Sequence, residues 1–212
     1  MKQKSINKKI KKQGEKIMYV IRENYNTIVT VPIETSLAEK RMVFVEGEIN
    51  HLAADEFAKQ IMFLAFEDSD APIKVIINSE GGEIEAGLKM CDAVEGCPCR
   101  VDAYCFTRAY SMAAVLFESV NGNRYMVGNG KLMLHQPSIT GTGRKTAGEI
   151  EELSSRLKET NDRVLSIVSK KSGMSLAKLK KETEKDRFYD ADEAVKTGLA
   201  DQAVSFGDML SN

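Results

Sequence analysis

Between Arg41 and His135, short apolar runs alternate with longer segments whose apolar residues follow the period of a helix. The predicted strands are residues 42–45, 73–77, 101–106, 125–127 and 131–134. The predicted helices are one that follows Asn50 and those at residues 84–94 and 111–119. Strands that alternate with helices form largely parallel sheets covered on both faces, so the sequence predicts an α/β fold.

The helix after Asn50 has both a start signal and an apolar face. Asn50 is a residue type that caps helix N-termini through its side-chain oxygen. Helical spacing then predicts that Leu52, Phe57, Ile61 and Leu64 face inward.

After His135 the pattern changes. Residues 138–148 are rich in Gly, Ser and Thr and predict an extended segment. A long amphipathic helix is predicted at residues 147–171. Its apolar stripe is Ile150, Leu153, Leu157, Val164, Leu165 and Val168. Two interpretations stay open, a core helix or an arm that buries the stripe against another subunit. Shorter helices are predicted at residues 176–184 and 190–197.

Residues 1–17 differ from the rest of the chain because they carry seven lysines among few apolar residues. We expect a flexible, solvated tail, since no aromatic residues are interleaved with the charges. The alternative is an arm that binds nucleic acid or a partner. Residues 18–212 are predicted to form a single domain, and Met18 is an alternative translation start.

Composition excludes several classes of protein. The formal net charge of −1 gives no reason to expect binding to nucleic acid or to an anionic membrane. No apolar run is long enough to cross a bilayer, and the N-terminus lacks the apolar segment of a secretory signal. The expected location is the cytoplasm. The four cysteines match no familiar zinc or redox spacing and are expected to be reduced and buried.

Four short motifs carry the residue types of an acyl-transfer site. A Gly-rich turn follows an apolar strand, a Ser opens a small-residue helix, a His ends a strand, and an Asp occurs late in the chain. The motifs are Ser79-Glu80-Gly81-Gly82, Ala109-Tyr110-Ser111-Met112-Ala113-Ala114, Leu132-Met133-Leu134-His135-Gln136-Pro137 and Lys185-Asp186-Arg187-Phe188. They supply amide donors, nucleophile, base and orienting carboxylate, and the combination predicts a serine peptidase.

Each of these residues has an ordinary structural explanation when it is taken alone. Ser111 is a normal N-cap residue, and a single His135 at a strand end is more often structural. Asp186 lies between two basic residues and could form a local ion pair. His51 competes for the role of base, but no strand-end position favours it and we expect it at the surface. The prediction therefore depends on the motifs occurring together.

Taken in order, the motifs resemble those of ClpP, the proteolytic subunit of Clp protease, from about Arg41 to Val204. The family's Ser-Pro-Gly-Gly turn is similar to residues 79–82, and its Ala-Ser-Met-Gly-Ala motif to residues 110–114. Its His-Gln-Pro is intact at residues 135–137, and its Arg-Asp-Arg-Phe segment resembles residues 185–188. A later signature resembles Ala191-Asp192-Glu193-Ala194 and Thr197-Gly198-Leu199.

The resemblance implies a role for each matched residue. Ser111 would be the nucleophile, His135 the general base and Asp186 the residue that orients it. The amides of Gly82 and Met112 would form the oxyanion hole. No metal or cofactor is implied.

The resemblance also implies an architecture and partners. The family fold is a crotonase-like α/β unit with a protruding handle, here residues 138–172. Family members form two stacked heptameric rings that enclose the active sites. Their substrates are peptides or unfolded proteins, which enter through pores gated by a hexameric Clp ATPase. Subunit contacts in such a homo-oligomer are expected to be large and apolar.

The chain departs from the family pattern near the site. Arg108 and Tyr110 flank Ala109 where small residues are usual, so a different specificity pocket is expected. Lys185 replaces an Arg that is common at the contact between rings, and a lysine lacks its bidentate fork. The family's N-terminal gating segment is not recognisable in residues 18–40. The divergent start and the Lys-rich prefix resemble ClpP-like peptidases of phages and mobile elements, for which capsid or scaffold maturation is an alternative role.

Two rival functions remain at this stage. An acyl-CoA enzyme of the crotonase superfamily needs the oxyanion hole but no Ser–His–Asp triad, and the intact triad candidates argue against it. A non-catalytic ring subunit would carry a degraded triad, and none is seen.

Overall fold

The computed structural model describes residues 7–9, 18–24, 27–139 and 143–211. Contacts divide the chain into two compact units, residues 1–43 and 44–212. Most of the Lys-rich segment, residues 1–17, lies outside the described residues, and so does the stretch 140–142 of the predicted extended segment. The flexible tail and the boundary at residue 18 stay predictions.

The first unit holds a small antiparallel sheet. Its elements are β1 (Asn7–Lys9), β2 (Met18–Asn24), β3 (Thr27–Pro32) and α1 (Ile33–Ala38). Strand β2 pairs with β1 on one side and with β3 on the other.

The second unit alternates strands and helices along most of its length. The strands are β4 (Met42–Ile49, whose first two residues fall in the first unit by contacts), β5 (Ile73–Gly82), β6 (Val101–Tyr110), β7 (Arg124–Leu134), β8 (Arg187–Tyr189) and β9 (Gln202–Val204). The helices are α2 (His51–Glu67), α3 (Ile84–Glu95), α4 (Met112–Ser119), α5 (Ala147–Ser172), α6 (Leu176–Glu182), α7 (Ala191–Thr197) and α8 (Phe206–Ser211).

The strands of the second unit form one six-stranded sheet. Its order is β4-β5-β6-β7-β8, and β9 also pairs with β7. The β5–β6, β6–β7 and β7–β9 pairs are parallel, whereas β7 and β8 are antiparallel. Strand β5 is buried on both faces: Val75, Ile76 and Ile77 are each exposed to 2% or less. This explains why its sequence is an unbroken apolar run. The predicted α/β class with a largely parallel, helix-covered sheet is confirmed.

Two local predictions were wrong. Residues 125–127 and 131–134 belong to one continuous strand, β7, because Gly128 takes a left-handed conformation (φ 56°) without ending the pairing with β6. Leu52 was expected to face inward but is 76% exposed, whereas Phe57, Ile61 and Leu64 are buried. Asn50 caps α2 as predicted, since its side chain accepts a hydrogen bond from the Ala53 amide at 3.0 Å.

Helix α5 is buried over only part of its length. Thr146 and Glu149 form a capping box at its start, and Gly173 ends it in a left-handed conformation (φ 75°). The buried residues Val164, Leu165 and Val168 all lie in the C-terminal half, which packs against α4. Ile150, in the first turns, is 57% exposed. The chain by itself therefore covers half of the apolar stripe.

All four cysteines are free and buried, as the sequence predicted. Burial raises the pKa of the Cys91 and Cys105 thiols to about 12. A thiol with such a pKa is not a nucleophile at neutral pH, so these residues serve as small apolar side chains.

A buried ion pair ties the end of α4 to the start of β7. Arg124 Nη1 donates to Glu118 Oε2 at 2.5 Å, and the two side chains are 4% and 1% exposed. Arg124 also donates to both carboxylate oxygens of Asp201, at 2.8 and 3.1 Å. The second Glu118 oxygen is buried without a hydrogen-bond partner. Burial raises the pKa of Glu118 to about 8, although the guanidinium acts in the opposite direction.

At pH values above about 8, where Glu118 is ionised, replacing Arg124 with methionine is expected to lower the free energy of unfolding by about 3–5 kcal/mol, because it leaves a buried carboxylate without its partner. The folded protein holds the Glu118 proton more tightly than the unfolded chain does. Stability should therefore fall as pH rises from about 4.5 toward about 8, and in the variant the fall should continue to higher pH, because Arg124 no longer lowers the pKa of Glu118. Urea unfolding at several pH values measures this. Arg156→Met, which breaks an exposed pair with Glu152, is the matched control and should change little.

Candidate active site

Ser111 stands where strand β6 gives way to helix α4. Its backbone has φ 54° and ψ −124°, a strained conformation for a residue with a side chain. Its amide donates to the Met133 carbonyl at 2.8 Å, which fixes the turn to the neighbouring strand β7. Its side chain makes no capping bond to the helix. The hydroxyl is therefore not used as an ordinary N-cap, and the free amides of the first helical turn lie beside it.

His135 follows the last residue of β7 and meets Ser111. Its Nε2 lies 2.8 Å from Ser111 Oγ, which is hydrogen-bonding distance. Parallel pairing of β6 with β7 places Tyr110 opposite Met133, so the two strands end side by side. The imidazole is one-third exposed, with 32% of its side-chain surface accessible. A histidine in this position can take the proton of the serine hydroxyl.

Asp186 lies on the other side of the same imidazole. Its Oδ1 is 3.5 Å from His135 Nδ1, and 62% of its side-chain surface is exposed. The antiparallel pairing of β7 with β8 sets Leu134 opposite Arg187. The residue after Leu134 and the residue before Arg187 are consequently brought together. The imidazole of His135 therefore lies between the Ser111 hydroxyl and the Asp186 carboxylate.

Gly81 and Gly82 were predicted to form a turn, but in the structure they are the last two residues of strand β5; this pair, called the glycine turn below, contacts the backbone around Ser111. A Cβ at Gly81 would lie 2.5 Å from the Tyr110 carbonyl oxygen and 2.9 Å from the Met112 nitrogen. A Cβ at Gly82 would collide with the Ile49 carbonyl. Both glycines have positive φ, at 91° and 155°. Only glycine fits at either position, and Gly81 lies directly against Ser111 and the Met112 nitrogen at the start of α4.

Ser79 is a further candidate, for which the sequence alone predicted no role. The residue is 1% exposed, and its hydroxyl donates to the Gly47 carbonyl at 2.5 Å. The same oxygen accepts the Gly81 amide at 3.0 Å. Ser79 therefore anchors the glycine turn to strand β4. The only signal in the sequence was a small polar residue just before two glycines.

A small apolar cavity opens beside Ser111 and His135. Its volume is about 30 Å³. Its apolar walls include Ile84, Val115, Pro137, Val164 and Leu165. The last two belong to the buried half of α5, so this helix closes one side of the site.

The other candidates lie elsewhere. His51 is 72% exposed and pairs with Glu83 at 3.1 Å, which agrees with its predicted surface position. Across the part of the chain that the structure describes, His, Cys, Asp and Glu side chains form no cluster of three or more that could hold a metal ion. Within the same residues, every helix is too short or too polar to span a bilayer.

Comparison with known proteins shows the family of the chain. The sequence model of the family described as Clp protease matches residues 25–206. The chain belongs to the Clp protease family. It is 34% identical over 176 residues to a protein of Synechococcus sp. (strain CC9605) named ATP-dependent Clp protease proteolytic subunit 3, covering 82% of this chain and 88% of that protein. The protein of the same name from Synechococcus sp. (strain CC9902) matches with the same identity and coverage.

Membership in the Clp protease family makes the chain a serine-type peptidase. The predicted resemblance is thereby confirmed. The match begins within the first unit and runs almost to the end of the chain.

Proposed function

We propose that the chain is a serine endopeptidase in which Ser111 is the nucleophile, His135 the general base and Asp186 the residue that orients it. The distance of 2.8 Å between His135 Nε2 and Ser111 Oγ carries this proposal. A nucleophile within hydrogen-bonding reach of a base, which in turn faces a carboxylate, is the arrangement of serine hydrolases.

The mechanism follows from these positions. Ser111 Oγ attacks the peptide carbonyl while its proton passes to His135 Nε2. Negative charge develops on the carbonyl oxygen, and the Gly82 and Met112 amides are the proposed donors that stabilise it. The imidazolium gives its proton to the leaving amine, and water then hydrolyses the acyl-enzyme. The 3.5 Å between His135 and Asp186 is long for a hydrogen bond, and such contacts tighten when substrate binds.

We also propose that the active form is a self-compartmentalising homo-oligomer that acts on peptides or unfolded proteins, in partnership with a Clp ATPase. Apolar surface supports subunit contact. Leu52, Met62, Phe63 and Phe66 of α2 are 56–85% exposed, and Ile150 in the first half of α5 is 57% exposed. In this proposal residues 138–172 are the handle of a single peptidase domain at 18–212.

A fluorophosphonate probe tests the chemistry. The intact chain should gain one adduct, and peptide mass analysis should locate it on Ser111. Heat-denatured protein is the control and should not react, because the activation depends on His135. Absence of an adduct, or an adduct at another serine, would contradict the proposed nucleophile. Binding of a CoA thioester in its place would indicate an acyl-CoA enzyme.

The small cavity predicts a preference for small apolar residues at P1, the residue whose carbonyl is attacked. A volume of about 30 Å³ holds one or two groups the size of a water molecule. Among peptides that differ only at P1, kcat/KM should be higher for Ala or Val than for Phe by more than about tenfold. Ile84→Ala removes part of one wall and should raise kcat/KM for the Phe peptide. Val195→Ala, on helix α7 and away from the cavity, is the control and should leave kcat/KM for both peptides unchanged.

A further inference from the structure

Arg108 holds two residues of the neighbouring strand that lead into the glycine turn. Its Nη1 pairs with Glu80 Oε1, and its Nε donates to Asn78 Oδ1 at 3.3 Å. Side chains of Arg108 and Glu80 are 40% and 72% exposed. They border a groove of about 600 Å³ that is also lined by Gly81 and Gly82. Both charged residues stand where the family resemblance leads one to expect other residue types.

The backbone beneath this pair is irregular in both strands. The β5–β6 register shifts between Ile77 and Ser79, and the β6–β7 register shifts between Phe106 and Arg108. Thr107 has φ 84°, which is unusual for a β-branched residue. Such bulges re-aim side chains and interrupt the regular hydrogen-bond ladder. The position of the strand segment just before the glycine turn therefore depends more on side-chain contacts than it would in a regular ladder.

The pair acts on a segment that has little stiffness of its own. Gly81 and Gly82 have no Cβ, so they gain no rigidity from side-chain sterics. Ser79 anchors the segment toward β4 through the Gly47 carbonyl. Glu80, the next residue, is held from the other side by Arg108. The glycines follow directly after these two anchors.

We propose that Glu80 and Arg108 are positioning residues that hold the Gly81–Gly82 turn so that the Gly82 amide points at the developing oxyanion. The inference rests on the proposed function. Neither side chain touches the reacting atoms. The turn matters most when charge appears in the transition state, so a looser turn lowers kcat more than it raises KM.

Kinetics of single and paired variants test this role. Arg108→Ala and Glu80→Ala should each lower kcat about tenfold, less than the 10²–10³-fold loss on removing an oxyanion donor outright. KM should stay within about twofold, and Arg108→Lys should recover part of the loss because it keeps the charge but not the fork. The double variant E80R/R108E, which exchanges the two charges, should have a higher kcat than either single variant, E80R or R108E. Lys89→Ala, which breaks an exposed pair with Asp55, is the control and should leave kcat unchanged.

Three results would overturn the inference. Unchanged kcat in both alanine variants would mean a surface ion pair only. A raised KM at unchanged kcat would mean that Arg108 binds substrate directly. If E80R/R108E recovers no activity, the ion pair between Glu80 and Arg108 is not what positions the glycine turn. Urea-unfolding midpoints of all variants, measured in parallel, separate a loss of folded protein from a loss of kcat.

The proposed function can fail separately. If the wild-type chain hydrolyses peptide and is labelled on Ser111 while the Arg108 and Glu80 variants equal it in kcat, only the positioning role is overturned. If the wild-type chain shows neither hydrolysis nor labelling, the proposed chemistry fails and the positioning role fails with it.

Discussion

Replacing Ser111 with alanine is expected to abolish peptide hydrolysis, with a loss in kcat on the order of 10⁶-fold. The variant keeps the turn and the amides of α4 but lacks the oxygen that His135 activates at 2.8 Å. Folding should be preserved, since the Ser111 side chain makes no capping bond to the helix. Hydrolysis of a fluorogenic peptide and labelling by a fluorophosphonate measure the effect.

Ser119→Ala is the matched control for this substitution. Ser119 lies at the other end of α4, and its hydroxyl donates to the Val115 carbonyl at 2.7 Å. Its loss should leave kcat close to the wild-type value. Turnover by the Ser111 variant at more than a trace level would assign the nucleophile to another residue.

Replacing Asp186 with asparagine is expected to lower kcat about 10⁴-fold. The carboxylate faces His135 Nδ1, where it can select the tautomer with its lone pair on Nε2 and stabilise the imidazolium. An amide carries no charge, and its NH₂ group favours the opposite tautomer. Because Asp186 is largely exposed, its substitution should leave the unfolding free energy nearly unchanged, so the loss is read directly from steady-state kinetics.

Asp192→Asn is the control, and it tests whether the loss of any carboxylate in this part of the chain lowers kcat. Asp192 is exposed in the first turn of α7, six residues along the chain, and this variant should retain wild-type kcat. A loss of less than about tenfold in Asp186→Asn would point to a different group as the partner of His135.

Local sequence signals predicted the longer elements well. Apolar periodicity and the Asn50 cap predicted α2, and the β-branched run at residues 73–77 predicted the centre of β5. The short strands β8 and β9 were not predicted. Each has three residues, and each exists because β7 offers it hydrogen-bonding partners far away in the sequence. Propensity in a three-residue window is too weak to compete with turn or coil.

The exposure of Leu52 has a similar origin. Leu52 is apolar, and helical spacing places it near the face that carries Phe57 and Ile61. Whether a residue at the edge of such a face is covered depends on how far the neighbouring elements extend, which periodicity does not contain. In this chain α3 packs against α2, where Phe57 and Ile61 are buried, and Leu52 is left 76% exposed.

By itself, the amino-acid sequence determined the α/β class and the residue types of the site, because these depend on local spacing and on chemistry that few side chains possess. Only the tertiary structure decided that the imidazole of His135 lies 2.8 Å from Ser111 and 3.5 Å from Asp186. Parallel pairing of β6 with β7 and antiparallel pairing of β7 with β8 bring together residues 24 and 51 positions apart. The register of these pairs is set by packing across the whole sheet, and no local pattern encodes it.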